Sequence, residues 1–133
     1  MSQKARSITG WALTALIGLV MIGSAGMKLM GDEEAAQGAE AMGLTASNLK
    51  IIALVELASI LLFIIPRTGV LGTLMLAAYL GGAIVIHVVN HQPFIMPVII
   101  QALVWIAAII RFPELTKRIT SNKTVDKEHI LTT

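Results

Sequence analysis

The chain has no cysteine and little charge. The absence of Cys from its 133 residues excludes disulfides, iron–sulfur ligation, thiolate zinc sites and thiol catalysis by this chain. Charged residues make up 14%, whereas globular domains carry about 25%. Hydrophobic residues make up 56% and the mean hydropathy is +0.80, which excludes a disordered chain. A soluble domain this small would need more polar surface, so the composition predicts a membrane protein.

The gaps between charges predict four membrane-spanning helices. Residues 7–27 and 68–110 contain no Asp, Glu, Lys or Arg, and residues 51–66 contain only Glu56. A spanning helix needs about 20 mostly apolar residues. The longest neutral run therefore holds two helices, separated by the polar sequence 90–93, which ends in proline. We predict an all-α, integral membrane four-helix bundle over 1–112, with spans at about 8–30, 48–66, 69–90 and 95–112.

The segments outside the spans are short and polar. Asp32 is placed to cap a short helix over 33–42, and Gly43 suits its end. The segment 113–133 is polar and without strong periodicity, so we predict a mostly unstructured cytoplasmic tail. The first apolar stretch is longer than the roughly 7–15 residues of a signal-peptide core, so we interpret it as a retained helix.

The basic residues predict the topology. Eight of the ten lie on one side if four helices alternate in direction, before span 1, between spans 2 and 3, and after span 4. The loop after span 1 carries Asp32, Glu33, Glu34 and Glu40. The positive-inside rule then places both termini in the cytoplasm, the N-in/C-in orientation, in a multi-pass protein of a bacterial-type inner membrane. The net charge of +2, without a basic stripe interleaved with aromatics, indicates no nucleic-acid partner.

Polar residues inside the spans are the candidate site. An ionised side chain near the middle of a span is unfavourable by a few kcal/mol, so Glu56 needs a partner or access to water. Lys28 and His87 lie roughly 5 Å inside the outer boundary and Glu56 roughly 12 Å inside. Because side chains lean toward the N-terminus of their helix, these three lean toward a common level.

Two further polar residues fall near that level, so the candidate ligand-binding or proton-exchange residues are Ser24, Lys28, Glu56, His87 and Gln101. Ser24 shares a helical face with Lys28. Tyr79 lies in the middle of its span, where we expect a hydrogen bond in the core. His87 and His91 are spaced as metal ligands can be, but no carboxylate stands near them in the sequence, and we predict no metal site. A purely structural Glu56–Lys28 pair is an alternative reading.

Three short motifs resemble the DoxX-like family of small four-helix membrane proteins. They are Gly23-Ser24-Ala25-Gly26-Met27-Lys28-Leu29, then Val55-Glu56-Leu57 with Ile64-Ile65-Pro66-Arg67, and finally Leu80-Gly81-Gly82-Ala83 followed by His87. The resemblance covers about residues 8–112 and places Lys28, Glu56 and His87 at recurrent polar positions of the family. It implies a link to membrane oxidoreductase complexes or quinone-linked sulfur oxidation.

The resemblance and the polar residues lead to one main functional hypothesis and two alternatives. The main hypothesis is a membrane subunit that binds a hydrophobic small molecule, with quinone as the implied class, and acts with a redox partner subunit rather than as a complete enzyme. A small proton-coupled transporter is the first alternative, although the small multidrug resistance exporters place their key glutamate in the first helix. The second is a non-catalytic assembly or scaffold protein. A homo-oligomer is compatible with each reading.

Overall fold

Every regular element of the described chain is a helix. The computed structural model describes residues 1–120. The helices are α1 (Gln3–Leu29), α2 (Glu33–Ala41), α3 (Ala46–Ile64), α4 (Gly69–Val89), α5 (Ile95–Arg111) and α6 (Pro113–Thr120), and a 3₁₀ turn over Pro66–Thr68 joins α3 to α4.

The long helices have the length and composition of membrane spans. Three of them, α1, α3 and α4 with its preceding turn, are long and apolar enough to cross a membrane. A fourth is obtained only when α5 and α6, which meet at a bend of 101°, are taken as one broken span. Large apolar side chains such as Leu19, Leu54, Val85 and Ile99 are exposed on the outer faces. Those faces suit contact with the lipid bilayer.

The predicted spans agree with α3, α4 and α5 to within two residues at each end. Helix α1 differs, because it begins at Gln3 rather than near residue 8. Ser2 is its N-cap, and its hydroxyl accepts a hydrogen bond from the Ala5 backbone N–H at 3.2 Å. The cap extends the helix through the polar residues that were taken to precede it.

The short helix predicted after span 1 is confirmed as α2. The Asp32 carboxylate accepts from the Ala35 backbone N–H at 3.0 Å, while Glu33 and Glu34 occupy the first turn. Both features favour a helix N-terminus. Gly43 follows the helix with a φ of +73°, a left-handed conformation that glycine adopts without strain.

The prediction of an unstructured tail is wrong for residues 113–120, which form α6. Pro113 suits the first turn of this helix because proline lacks the N–H that would be unpaired there. Glu114 lies in the first turn and Lys117 and Arg118 lie in the last, which complements the helix dipole. Leu115 packs against the hydrophobic core. The rest of the predicted tail, 121–133, lies outside the described residues.

Each long helix packs against two others. Helices α1 and α4 both contact α3 and α5. At one end of the molecule the start of α1, the end of α3, the start of α4 and the end of α5 come together, as contacts of Arg111 and Phe112 with these segments indicate. Neighbouring helices therefore run in opposite directions. The core between them contains Ile17, Met21, Ile60, Phe63, Leu76, Leu80, Val104, Ala107, Ala108 and Phe112.

Small residues allow the helices to approach closely. On α1, Gly10, Thr14 and Gly18 lie one turn apart and are all buried. On α4, an added Cβ at Gly81 would meet nothing within 4 Å. The close approach lies instead at Gly72, where an added Cβ would overlap the Phe63 backbone. Hydropathy did not distinguish the two α4 faces, because both are apolar.

Gly72→Ala tests this contact between α3 and α4. We expect it to lower the free energy of unfolding by about 1–3 kcal/mol, because the methyl group must displace backbone rather than a flexible side chain. The measurement is unfolding in mixed micelles as SDS is added.

Gly82→Ala is the matched control, since an added Cβ there meets nothing within 4 Å. Alanine has the higher helix propensity, so this variant should be neutral or slightly stabilised. Equal effects of the two substitutions would contradict the assigned packing.

Candidate functional site

A cluster of four polar side chains lies among α1, α3 and α4. The Lys28 ammonium donates to the Glu56 carboxylate Oε2 at 2.5 Å, to the Ser24 hydroxyl at 3.0 Å and to the Tyr79 hydroxyl at 3.1 Å. Three acceptors match the three donors of an ammonium group. We call Ser24, Lys28, Glu56 and Tyr79 the Lys28 cluster.

The cluster contains the ion pair of Lys28 with Glu56. The Glu56 side chain is 2% exposed and that of Lys28 is 19% exposed. Glu56 is thus enclosed by protein, while Lys28 keeps partial access to the surroundings. An unpaired charge in a low-dielectric setting would be strongly unfavourable, so the position of Glu56 requires a partner such as Lys28.

The opposite directions of α1 and α3 bring these side chains together. Lys28 lies one turn after Ser24 on α1 and reaches back toward it, while Glu56 comes from α3, which runs the other way. The predicted meeting of Lys28 and Glu56 between their two depths is therefore present in the structure. The long lysine side chain spans the difference in depth that a shorter side chain could not.

Tyr79 is the member of the cluster that we did not include among the candidate site residues. Its hydroxyl accepts from Lys28, and the Lys28 ammonium lies 5.8 Å from the centre of its ring. The expected hydrogen bond is confirmed, but its partner could not be predicted from the sequence. Because Tyr79 is one of the few polar residues in an apolar helix, only the rotation of α4 about its axis decides whether it faces Lys28.

His87 does not join the cluster. Its Nδ1 lies 2.6 Å from the Ala83 carbonyl oxygen, one turn back on its own helix. It lies eight residues beyond Tyr79, which is about 12 Å along α4. Its side chain also leans toward the N-terminus of α4, but it is too short to cover that distance.

Gln101 brings a buried polar atom from α5. Its side-chain oxygen Oε1 is buried and has no hydrogen-bond partner within residues 1–120. A buried acceptor without a donor is unfavourable by about 1–3 kcal/mol. Among the predicted site residues, Gln101 therefore has a side-chain oxygen that can still accept a hydrogen bond, for example from a water or a ligand hydroxyl.

The arrangement combines a fixed charge pair with groups that can still form hydrogen bonds. Since the Tyr79 hydroxyl accepts from Lys28, its own hydrogen can be donated to the neighbouring Glu56 carboxylate or to another acceptor. Glu56 has a second carboxylate oxygen besides Oε2. The cluster therefore has a hydroxyl hydrogen and a carboxylate oxygen in addition to the bonds that Lys28 donates.

The fold and this cluster define an all-α, multi-pass membrane protein with a buried lysine–glutamate pair. The model of the DoxX-like family matches residues 12–108, well over half of the chain. The chain belongs to the DoxX-like family. The match includes Ser24, Lys28, Glu56 and Tyr79. No curated protein and no solved structure matches the chain at a significant level.

Lys28→Met tests the energetic importance of the ion pair. Loss of the ammonium leaves the enclosed Glu56 without its partner, so we expect the free energy of unfolding to fall by about 2–4 kcal/mol. The expected loss of stability is smaller than for a fully enclosed ion pair, because Lys28 is partly accessible. Unfolding by SDS in mixed micelles measures it.

The exposed Lys50→Met on α3 is the control and should have little effect. Adding Glu56→Leu to Lys28→Met should recover at least half of the lost stability, since an apolar replacement of both partners removes the unpaired charge. A loss with Lys28→Met no larger than that with Lys50→Met would contradict the assigned pair.

Proposed function

We propose that the chain is a membrane subunit that binds a quinone-class molecule at the Lys28 cluster and acts with a redox partner subunit. The observation that carries the proposal is the ammonium of Lys28, held among Ser24, Glu56 and Tyr79 while still partly accessible. An ion pair with only a structural role would not need this access and could be completely enclosed by protein. Membership of the DoxX-like family supports the redox part of the proposal, because the resemblance implies a link to membrane oxidoreductase complexes.

Quinone chemistry suits the groups of the cluster. A quinone is apolar except at its carbonyl oxygens, which need hydrogen-bond donors when they leave water. The Tyr79 hydroxyl is a donor of this kind, and the Lys28 ammonium becomes one when a quinone oxygen replaces one of its three present acceptors. Reduction of the quinone also takes up protons, and Glu56 is placed to pass a proton on, with Lys28 stabilising its charged form.

The electrons of such a reaction come from elsewhere. Reduction of a quinone to a quinol takes up two electrons and two protons, and the chain has no cysteine to act as a thiol donor. We therefore assign electron supply to the redox partner, whereas this chain contributes binding, orientation and proton exchange.

Glu56→Gln and Tyr79→Phe test the assignment. The probe is a short-tailed ubiquinone, titrated into the purified full chain in detergent and followed by equilibrium dialysis. Glu56→Gln replaces the carboxylate by a neutral amide, Tyr79→Phe removes the hydroxyl, and both keep the side-chain shape. Because the charged hydrogen bond from Lys28 to Glu56 contributes about 1.5–3 kcal/mol and holds the ammonium in the proposed site, we expect the dissociation constant to rise about tenfold for Glu56→Gln and less for Tyr79→Phe.

Glu40→Gln on the exposed face of α2 removes a carboxylate that is not part of the cluster and should leave binding unchanged. Equal affinity of wild type and Glu56→Gln would contradict the proposal. If neither binds the probe and both stay folded, the cluster only orders the helices, as in the scaffold alternative. Glu56-dependent, proton-coupled uptake into liposomes would point to the transporter instead.

We further propose a four-helix bundle in a bacterial-type inner membrane, with both termini in the cytoplasm. Helix directions alternate, so Arg6, Arg67 and the basic residues of α6 share one end. The acidic α2 lies between α1 and α3 at the other end. This distribution supports the orientation through the positive-inside rule.

The cysteine-free chain makes the orientation directly testable. Single cysteines replace Glu40 on α2 and Arg67 in the 3₁₀ turn, both exposed. A membrane-impermeant maleimide applied to intact spheroplasts should label Glu40→Cys and leave Arg67→Cys unlabelled until the cells are lysed. The reverse pattern would overturn the orientation.

A further inference from the structure

We propose that the basic end of the protein binds the headgroup of an anionic phospholipid, with one acyl chain lying along α1. The site comprises an open cavity at Arg6 and Arg111, called the arginine cavity, and a neighbouring apolar groove, called the α1 groove. It lies at the opposite end of α1 from Lys28 and is independent of the quinone proposal.

The arginine cavity has a volume of about 620 Å³. It lies where the start of α1 meets the bend between α5 and α6. Its lining includes Gln3, Arg6, Trp11, Arg111, Phe112 and Glu114. A cavity with two guanidinium groups and an indole ring at the end of membrane helices has the composition expected for a lipid headgroup site.

Both arginines are held in place by backbone carbonyls. Arg6 donates to the Ile110 and Ile109 carbonyl oxygens at 2.8 and 3.3 Å. Arg111 donates to the Phe63 and Ile64 carbonyl oxygens at 2.9 and 3.0 Å. These bonds satisfy the ends of α5 and α3 and fix both guanidinium groups without neutralising their charge.

The positive charge is not balanced within the described chain. No carboxylate oxygen of residues 1–120 lies within 4.0 Å of either guanidinium, and Glu114 is the acidic residue in the cavity lining. A guanidinium has five N–H donors, and the backbone bonds of Arg6 use two of them. The remaining donors and the uncompensated charge match a phosphate diester.

The α1 groove provides an apolar surface for the acyl chain of the lipid. The groove has a volume of about 670 Å³ and is lined by Trp11, Thr14, Ala15, Gly18, Leu19, Ile22, Gly23 and Ile64. Trp11 lines both the groove and the arginine cavity, and the Arg111 guanidinium lies 4.4 Å from its ring centre. The polar and apolar parts of the site therefore adjoin.

The length of the α1 groove matches the thickness of one leaflet of the bilayer. From Trp11 to Gly23 the helix rises about 18 Å, close to half of a hydrocarbon core of about 30 Å. A lipid with its phosphate at the arginines would thus place an acyl chain along the groove. In the proposed orientation this is the cytoplasmic leaflet, where anionic lipids attract basic residues.

Quenching of Trp11 fluorescence measures the lipid contact. The full chain carrying Trp105→Phe is reconstituted into mixed vesicles of phosphatidylglycerol and phosphatidylcholine, with brominated acyl chains on only one of the two lipids. At equal mole fractions we expect phosphatidylglycerol to associate about fivefold more strongly, the size of effect of one arginine near a membrane surface.

Arg6→Gln should remove most of this preference, whereas Arg67→Gln, which removes the same charge from the exposed turn outside the cavity, should preserve it. Gly23→Leu fills the α1 groove at a position where an added Cβ meets nothing within 4 Å, so the fold should tolerate it. We expect it to reduce quenching by brominated phosphatidylglycerol. Circular dichroism verifies that each variant retains its helices.

Equal association of the two lipids would overturn the proposal. Equal losses with Arg6→Gln and Arg67→Gln would also overturn it, since they would indicate general surface charge. Unchanged quenching in Gly23→Leu would refute the acyl-chain path. Excess inorganic phosphate should not relieve quenching by brominated phosphatidylglycerol; if it does, the cavity binds free phosphate and the lipid assignment is wrong.

Discussion

Hydrocarbon offers no hydrogen bonds, so a polar group carried into a membrane must find its partners within the protein. The structure meets this constraint in two layers. Toward one end, the Lys28 ammonium has three oxygen acceptors, and Glu56 receives the compensating charge. At the other end, Arg111 satisfies the last carbonyls of α3. The first layer joins α1, α3 and α4, and the second joins α5 to α1 and α3.

Helix α3 takes part in both layers. It contributes Glu56 to the first layer and the Phe63 and Ile64 carbonyls to the second. The second layer also depends on close helix contact. At Gly10 an added Cβ would come within 2.8 Å of the Arg111 side chain, so glycine leaves room for the arginine to reach α3. The small residues thus determine which polar contacts can form.

The long helices and the contact of Lys28 with Glu56 could be predicted from the sequence. The gaps between charges defined the long helices, and depth with side-chain direction brought Lys28 to Glu56. Tyr79, Arg111 and the exclusion of His87 could not be predicted, because they depend on the rotation of each helix about its axis. That rotation is set by packing at positions such as Gly72, and a helix apolar on all sides carries little record of it. The α6 helix was missed because its few apolar residues depend on the core for support.

We propose that the Lys28 cluster is a binding site and more than a structural pair. Native mass spectrometry of the gently purified protein tests it most directly, by comparing wild type with Glu56→Gln. We expect wild type to retain a quinone-sized molecule and the folded variant to lose it. Identical spectra, with the same retained molecule or with none in either, would contradict the claim.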